Sequence, residues 1–287
     1  MKRILSLLVI TTLSIFSITA QELENSTLWK IEGNGLESPS YLFGTIHMTC
    51  DATLEDDVKK ALDETTQIVM ELDMDDPSMQ SKVMQGMYLK YGKTLKDFVS
   101  DEEYKSIDSL FINNMGMSVK LLENVKPFFL MSMFYPKMID CQMQSFELEL
   151  TKIASEQKEE IYGLETIEEQ IKVFDDIPLE DQYADLIRMA KDNLAFDKTT
   201  FSKMLKIYKE EDINALIDIM DDDTNSTMSK HQDVLLEQRN KNWISKIGEY
   251  AKEQPTFFGV GAGHLPGENG VIQLLRNVGY TVTAVLE

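Results

Sequence analysis

The sequence predicts an α/β fold in which a central, mainly parallel β-sheet is flanked by helices and carries a helical insertion at about residues 75–155. Residues 40–72 read as strand, helix and strand, a βαβ unit that implies parallel pairing. The C-terminal part has a similar order, because an apolar strand is followed by a helix and a closing strand. Between these parts, Met-rich helical patterns indicate the insertion.

The first 20 residues have the pattern of a secretory signal peptide. Two basic residues precede an apolar stretch over residues 4–18, and small residues up to Ala20 offer a cleavage point. This stretch is too short and wrongly flanked for a stable membrane anchor, and no other segment is apolar enough to span a bilayer. We expect export to the periplasm or beyond the cell after cleavage near Ala20, and one mature domain over residues 21–287.

The charge balance argues against binding to nucleic acid. The chain has 28 basic and 49 acidic residues, and loss of the leader, with two basic and no acidic residues, leaves 26 against 49, a net charge of −23. Such a surface repels phosphates, which proteins bind through Lys and Arg. The acidity favours solubility and by itself identifies no ligand.

Two cysteines, Cys50 and Cys141, would enter an oxidising compartment. They form either one disulfide or two separate buried thiols, since the sequence does not give the distance between them.

The elements of the first part follow from apolar patterning and turn residues. Short strands are predicted at residues 27–31 and 40–46, and a helix capped by Thr53 follows them. Residues 67–72 form an apolar run typical of a buried strand. In the insertion, we expect the methionines to fill the core.

The later elements alternate helices with short strands. A strand at residues 159–164 leads to the capping box Thr166-x-x-Glu169. The remaining predictions, in order, are helical stripes at 183–194 and 213–220, a surface loop at 221–229, a long helix at 232–252, a strand at 256–260, a helix at 270–278 and a strand at 280–286.

The strongest functional signal is a pair of Gly-x-x-His elements, each at the end of an apolar strand. Gly44 to His47 closes one strand and Gly261 to His264 closes another, and these are two of only three histidines in the chain. Functional side chains gather beyond the carboxyl ends of parallel strands. The two imidazoles therefore either bind one divalent cation or serve in acid and base catalysis. The third histidine, His231, is flanked by polar residues and is predicted at the surface.

Two carboxylates extend this pair. Glu71 follows a buried run, where a charge requires a partner, so it is either a metal ligand, a general base or an acceptor for a helix N-terminus. Asp73, two residues on, projects to the same face and is an alternative. Glu165 ends a third strand, where it either points into the site or is a helix-start charge.

Arg239 lies on the apolar face of its helix, in register with Leu235 and Trp243. An inward arginine usually pairs with a buried carboxylate. It therefore either braces Glu71 or Glu165, or stabilises a developing oxyanion. The chain has no P-loop, no G-x-S-x-G elbow, no H-E-x-x-H helix and no convincing nucleophilic cysteine, which argues against those enzyme classes.

Five segments of the chain, in order, resemble the TraB/GumN family, which includes the animal TIKI proteins. They read YLFGTIH, VMELD, YGLETIEEQ, LLEQRNKNW and FFGVGAGHLPGENGVIQLLRNVGYTV. The resemblance implies a fold like that of erythromycin esterases and ChaN, with the site along one sheet edge. It also implies that His47, His264, Glu71, Glu165 and Arg239 correspond to the family's site residues.

In TIKI-like members, the resemblance points to a metalloprotease that depends on Mn²⁺ or Co²⁺, with Zn²⁺ or Fe²⁺ as other options. We therefore expect an exported metal-dependent hydrolase of peptide or amide bonds, with His47, His264 and Glu71 as metal ligands. Two other hypotheses stay open. One is a metal-independent, esterase-like hydrolase, and the other is a protein that binds a peptide, haem or iron without turnover.

Overall fold

The structure, a computed structural model, describes residues 23–222 and 226–286. Of residues 220–222 it describes the backbone alone. The predicted signal peptide lies outside the described residues, as does the middle of the loop predicted at 221–229. No described helix combines the length and apolar character that crossing a membrane requires.

The sheet has six strands in the spatial order β4-β3-β5-β2-β1-β6. Their bounds are β1 Leu28–Gly33, β2 Ser40–Thr45, β3 Gln67–Met70, β4 Ile161–Gly163, β5 Thr256–Gly261 and β6 Tyr280–Ala284. The pairs β4–β3, β3–β5 and β5–β2 are parallel, and β1 is antiparallel to both β2 and β6. The predicted α/β class with a mainly parallel sheet is thus confirmed.

The helices surround this sheet. In the described part of the chain they are α1 Asp56–Asp63, α2 Met79–Gly86, α3 Asp101–Met115, α4 Pro127–Ser132, α5 Phe146–Gln157, α6 Ile167–Asp176, α7 Leu179–Lys191, α8 Ala195–Lys209, α9 Ile213–Asp222, α10 Thr227–Lys230, α11 Gln238–Glu253 and α12 Val271–Asn277. A π-helical turn over Asp233–Glu237 precedes α11, and a 3-10 turn over Ala262–His264 follows β5.

The two faces of the sheet support separate apolar clusters because neighbouring residues of a strand point to opposite sides. On β5, Phe258 packs in the cluster that includes Trp243 of α11, whereas Phe257 packs in the cluster that includes Leu62 of α1 and Leu150 of α5. Strands β2 and β3 are buried along their whole length, and β5 is buried as far as Val260. This double burial explains why their sequences read as continuous apolar runs.

The predicted βαβ unit is parallel but not contiguous. Strands β2 and β3 do not pair with each other, because β5, from much later in the chain, lies between them and pairs with both. The strand that leads to His264 therefore separates the strands that lead to His47 and Glu71.

The insertion between β3 and β4 contains α2 to α5, and part of it forms a third apolar cluster together with α7. Phe111, Leu130 and Phe134 are buried there against Tyr183 and Leu186 of α7. Several methionines, at positions 87, 115, 131, 133 and 138, pack against this core. That placement agrees with their predicted role as core filling.

Some local predictions were wrong. Thr53 does not cap α1, which begins at Asp56 after Glu55; the Thr53 backbone amide instead donates to Asp51. The loop predicted at 221–229 is helical in part, since residues 221 and 222 complete α9 and Thr227–Lys230 form α10. By contrast, Thr166 and Glu169 form the predicted capping box of α6.

The two cysteines are joined. A disulfide links Cys50 to Cys141, whose Cα atoms lie 5.7 Å apart, so the structure has the first of the two alternatives. The bond connects the segment after β2 to the segment before α5.

Candidate functional site

The parallel strands bring four predicted site residues to one edge of the sheet. His47, His264, Glu71 and Glu165 each follow the carboxyl end of a parallel strand, in turn β2, β5, β3 and β4. Arg239 enters this edge from the first turn of α11. The resulting group of five residues is called the edge cluster below.

The two Gly-x-x-His glycines have different physical roles. A Cβ on Gly44 would lie 2.6 Å from Leu265 Cδ1 and 3.1 Å from the Cα of Ala262, so glycine there allows the ends of β2 and β5 to pack closely. A Cβ on Gly261 would instead lie 3.3 Å from Glu71 Oε1, 3.6 Å from His264 Cδ2 and 3.7 Å from His47 Nε2. Glycine at 261 therefore leaves a small space that three candidate site residues surround.

Arg239 joins the edge cluster electrostatically. Its Nη2 donates to Glu71 Oε2 at 2.6 Å and to Glu165 Oε1 at 2.5 Å, and its Nε also bonds to Glu165 at 3.1 Å. Its Nη1 lies 3.1 Å from His264 Nε2. The guanidinium thus braces both carboxylates rather than one of them, and it is only 12% exposed.

Glu71 is held as a carboxylate. The backbone amide of Gly261 donates to its Oε1 at 2.8 Å. Burial acts to raise its pKa, but His264, Arg239 and His47, together with that amide, outweigh burial and lower the pKa to about 2. Such a group accepts protons poorly at neutral pH, which favours an anchoring or ligand role over that of a general base.

Glu165 is buried and accepts from several donors besides Arg239. Gln170 Nε2 donates to it at 3.0 Å and the indole of Trp243 at 3.3 Å. The carboxylate of Glu165 thus points into the edge cluster, while Glu169 is the side chain that caps α6.

His264 is buried and its ring is oriented from two sides. Its Nδ1 lies 2.5 Å from Asn240 Oδ1, while the Asn240 amide nitrogen donates to the carbonyl oxygens of His264 and Asn269. Because Asn240 presents its oxygen, Nδ1 carries the proton and Nε2 keeps its lone pair. Burial lowers the pKa of His264 to about 3, with Arg239 acting in the same direction against Glu71.

His47 has the opposite protonation behaviour. Its side chain is 69% exposed, and its Nδ1 lies 2.8 Å from Glu147 Oε1. Partial burial of the ring lowers its pKa, but the hydrogen bond and charge of Glu147 outweigh this and raise the pKa to about 9. At neutral pH the site therefore combines one imidazolium with one neutral imidazole, an arrangement suited to acid and base chemistry.

Glu147, Asn240 and Gln170 belong to this site although sequence reasoning did not select them. Asn240 directly follows Arg239 and Gln170 lies five residues after Glu165, so closeness in sequence was the one weak signal for them. Glu147 lies in the insertion, 100 residues from His47, and nothing local indicated the contact.

Asp73 and His231 lie outside the edge cluster. Asp73 lines a neighbouring cavity of about 270 Å³, with Lys82, Lys246 and Tyr250, and Glu165 of the edge cluster also lines this cavity. Burial and the neighbouring Asp75 raise the pKa of Asp73 to about 6. His231 pairs with Asp181 at 2.9 Å and is 20% exposed, so it is less open to solvent than predicted.

The donor types in the edge cluster suit a divalent metal, but their present spacing is wide. Two imidazoles and a carboxylate are common ligands of catalytic metals, and the space before Gly261 is the cradle they surround. Two of the three atoms nearest to the Cβ position there are donor atoms, Glu71 Oε1 at 3.3 Å and His47 Nε2 at 3.7 Å, whereas His264 presents the carbon Cδ2 at 3.6 Å. Among the described residues, no group of three His, Cys, Asp or Glu has metal-binding geometry.

The sequence of this chain is similar to a known protein family and to individual relatives. A sequence model of the TraB/PrgY/gumN family matches residues 27–284. Metalloprotease TIKI2 of Xenopus tropicalis is 24% identical over 92% of this chain and 60% of its own length, and Metalloprotease TIKI1 of Danio rerio is 24% identical over 92% and 64%. The chain thus spans about three fifths of these relatives. No solved structure matches it.

Proposed function

Because the chain belongs to the TraB/PrgY/gumN family, we propose that it is an exported, metal-dependent hydrolase that cleaves peptide or amide bonds at the edge cluster. The observation that carries the proposal is the space before Gly261, which His47, His264 and Glu71 surround. The names of the TIKI relatives support the metalloprotease class.

In this proposal His47, His264 and Glu71 hold the metal, with Mn²⁺ or Co²⁺ favoured over Zn²⁺ and Fe²⁺. A divalent cation bound there would supply a nucleophilic water near neutral pH and would polarise the scissile carbonyl. Arg239 keeps Glu71 ionised and oriented, and Glu165 in turn holds the Arg239 guanidinium in place. Since Nδ1 of His264 donates to Asn240, its Nε2 is the nitrogen available as a ligand.

The contact between Arg239 and His264 favours one alternative, a hydrolase that uses no metal. The guanidinium lies 3.1 Å from the Nε2 that would bind a cation, and it already provides a positive charge beside Glu71. In that case the His47 imidazolium donates a proton and Arg239 stabilises the oxyanion.

The deciding experiment uses protein purified without chelators and a defined mixture of unmodified peptides. We expect about one equivalent of Mn or Co by elemental analysis, cleavage of peptides by mass spectrometry, and loss of both in a His47→Ala/His264→Ala variant. The His231→Ala variant is the matched control and should keep both. Full cleavage in excess chelator would support the metal-independent alternative, and intact peptides under every condition would contradict a peptidase.

Export is tested separately on the full-length chain. We expect the secreted or periplasmic protein to begin at Gln21, which intact-mass measurement and N-terminal sequencing would reveal. A chain that keeps residues 1–20 and stays in the cytoplasm would contradict this part of the proposal.

A further inference from the structure

We propose that Glu147 is the positioning residue for His47: it fixes the ring so that Nε2 faces the space before Gly261. The structural part of this inference stands alone, and its catalytic consequence rests on the proposed function. Glu147 is the second residue of α5, so it reaches the edge cluster from the insertion rather than from the sheet.

The carboxylate of Glu147 is held by side chains around it. Its Oε1 accepts from Thr45 Oγ1 at 2.7 Å and lies 2.8 Å from His47 Nδ1. Ser145 Oγ donates to Oε2 at 2.5 Å. With three partners and 15% exposure, this carboxylate is far more fixed than a solvated charge in a first helical turn.

His47 needs such a partner because its ring receives little support from packing. The residue lies beyond the end of β2, outside any helix or strand, and 69% of its side chain is exposed. A carboxylate acceptor at Nδ1 fixes both the ring direction and the proton at that nitrogen. The other nitrogen then points to the position 3.7 Å away where a Cβ of Gly261 would lie.

The backbone around the two residues forms a clamp that keeps them together. Thr49 and Gln144 exchange two backbone hydrogen bonds, of 3.0 and 2.8 Å. The Gln144 side chain also bonds to the Cys50 carbonyl and to the Ala52 amide. The Cys50–Cys141 disulfide closes the same pair of segments, three residues after His47 and six before Glu147.

The test reads the protonated nitrogen of His47 directly, in metal-free protein labelled with ¹⁵N-histidine. Only three histidines contribute signals, and single His variants assign them. At a pH where the ring is neutral, we expect the Nδ1–H tautomer in wild type, its loss in favour of Nε2–H in Glu147→Ala, and its retention in Glu147→Gln. The Gln variant retains it because an amide oxygen still accepts a hydrogen bond.

Glu149→Gln is the matched control, because Glu149 lies on the same helix and pairs with Lys152. It should leave the tautomer unchanged. An unchanged tautomer in Glu147→Ala would overturn the proposal, as would its loss in Glu149→Gln. Circular dichroism and melting temperature check that each variant is folded.

The catalytic consequence is measured on a peptide cleaved in the hydrolysis assay. We expect kcat/KM to fall about 10- to 100-fold in Glu147→Ala, with partial recovery in Glu147→Gln. If wild type cleaves no peptide, the proposed function fails while the tautomer series still decides the role of Glu147. If wild type cleaves and Glu147→Ala cleaves equally well, the catalytic part of the inference is wrong.

Discussion

Arg239 shows how one side chain can hold a buried site together. A guanidinium presents its donors in a planar fork, so Arg239 can bond to Glu71 and Glu165 at once while it also reaches His264. A lysine at this position would offer a single charged nitrogen and could not bridge the same three partners. The stability and the geometry of the edge cluster therefore depend on the same residue.

We predict that Arg239→Met lowers the free energy of unfolding by about 3–5 kcal/mol, because it leaves two buried carboxylates without their cation. Urea unfolding at pH 7 measures the change. Arg276→Met is a suitable control, because the Arg276 guanidinium donates to the carbonyl oxygen of Val282 rather than to a buried carboxylate. Equal losses in the two variants would show that the carboxylates do not depend on Arg239.

Gly261→Ala tests the space in the edge cluster. The new Cβ would stand 3.3 Å from Glu71 Oε1, so a small shift of the carboxylate accommodates it and the fold should persist. We expect hydrolysis of the assay peptide to fall about 10-fold, less than the roughly 100-fold cost of displacing reacting groups by about 1 Å, because this shift is smaller. The melting temperature serves as the control. Wild-type activity in this variant would mean that the reaction occurs elsewhere.

At the scale of elements, the disulfide connects the sheet to the insertion. It closes a segment of 91 residues, which restricts the unfolded chain strongly. We predict that a Cys50→Ser/Cys141→Ser variant loses about 2–5 kcal/mol of unfolding free energy, measured by urea titration. Wild-type protein unfolded in a reducing buffer should match the variant, and an unchanged midpoint in both would contradict the prediction.

The elements show what local sequence can and cannot reveal. The strands containing Leu42, Val69 and Phe258 were predictable because burial on both faces leaves an uninterrupted apolar run. The order of these strands in the sheet was not predictable, because the position of β5 between β2 and β3 depends on pairing across some 190 residues. The π-helical turn before α11 also escaped prediction, because its residues continue an ordinary helical pattern.

In the candidate site, too, some residues could be predicted from local sequence and others could not. His47 and His264 were visible because each ends a strand in the same short motif, and Arg239 because it interrupts an apolar stripe. Glu147 was invisible because its contact with His47 arises only when α5 packs beside β2. Residues that strands deliver to an edge can be read from sequence, whereas residues that a separate helical segment delivers cannot.

At the scale of the whole molecule, pH should govern stability through the edge cluster. Glu71 and Glu147 have pKa values lowered from 4.5 to about 2, so their contribution is present above pH 4.5 and is lost as pH falls toward 2. The pKa of His264 is lowered from 6.5 to about 3, so its contribution is lost below pH 6.5. The pKa of His47 is raised to about 9, so its contribution is lost as pH rises from 6.5 through 9.

We therefore expect the unfolding free energy of metal-free protein to be greatest near pH 6.5 and to decline on both sides. Urea unfolding between pH 3 and pH 10 in the presence of a chelator measures this profile. Glu147→Gln should flatten both limbs, because it removes one acidic group and the partner that raises the pKa of His47. A profile that stays level from pH 5 to pH 9 would contradict the assignment.

The central position of β5 also affects when the protein can fold during synthesis. Strands β2 and β3 emerge from the ribosome early, yet neither has its main sheet neighbour until residues 256–261 have been made. Until then β2 can pair with β1 and β3 with β4, but the side of each strand that faces β5 is unpaired, and folding that depends on such distant contacts is slow. The edge cluster can therefore be assembled only after nearly the whole chain has been made.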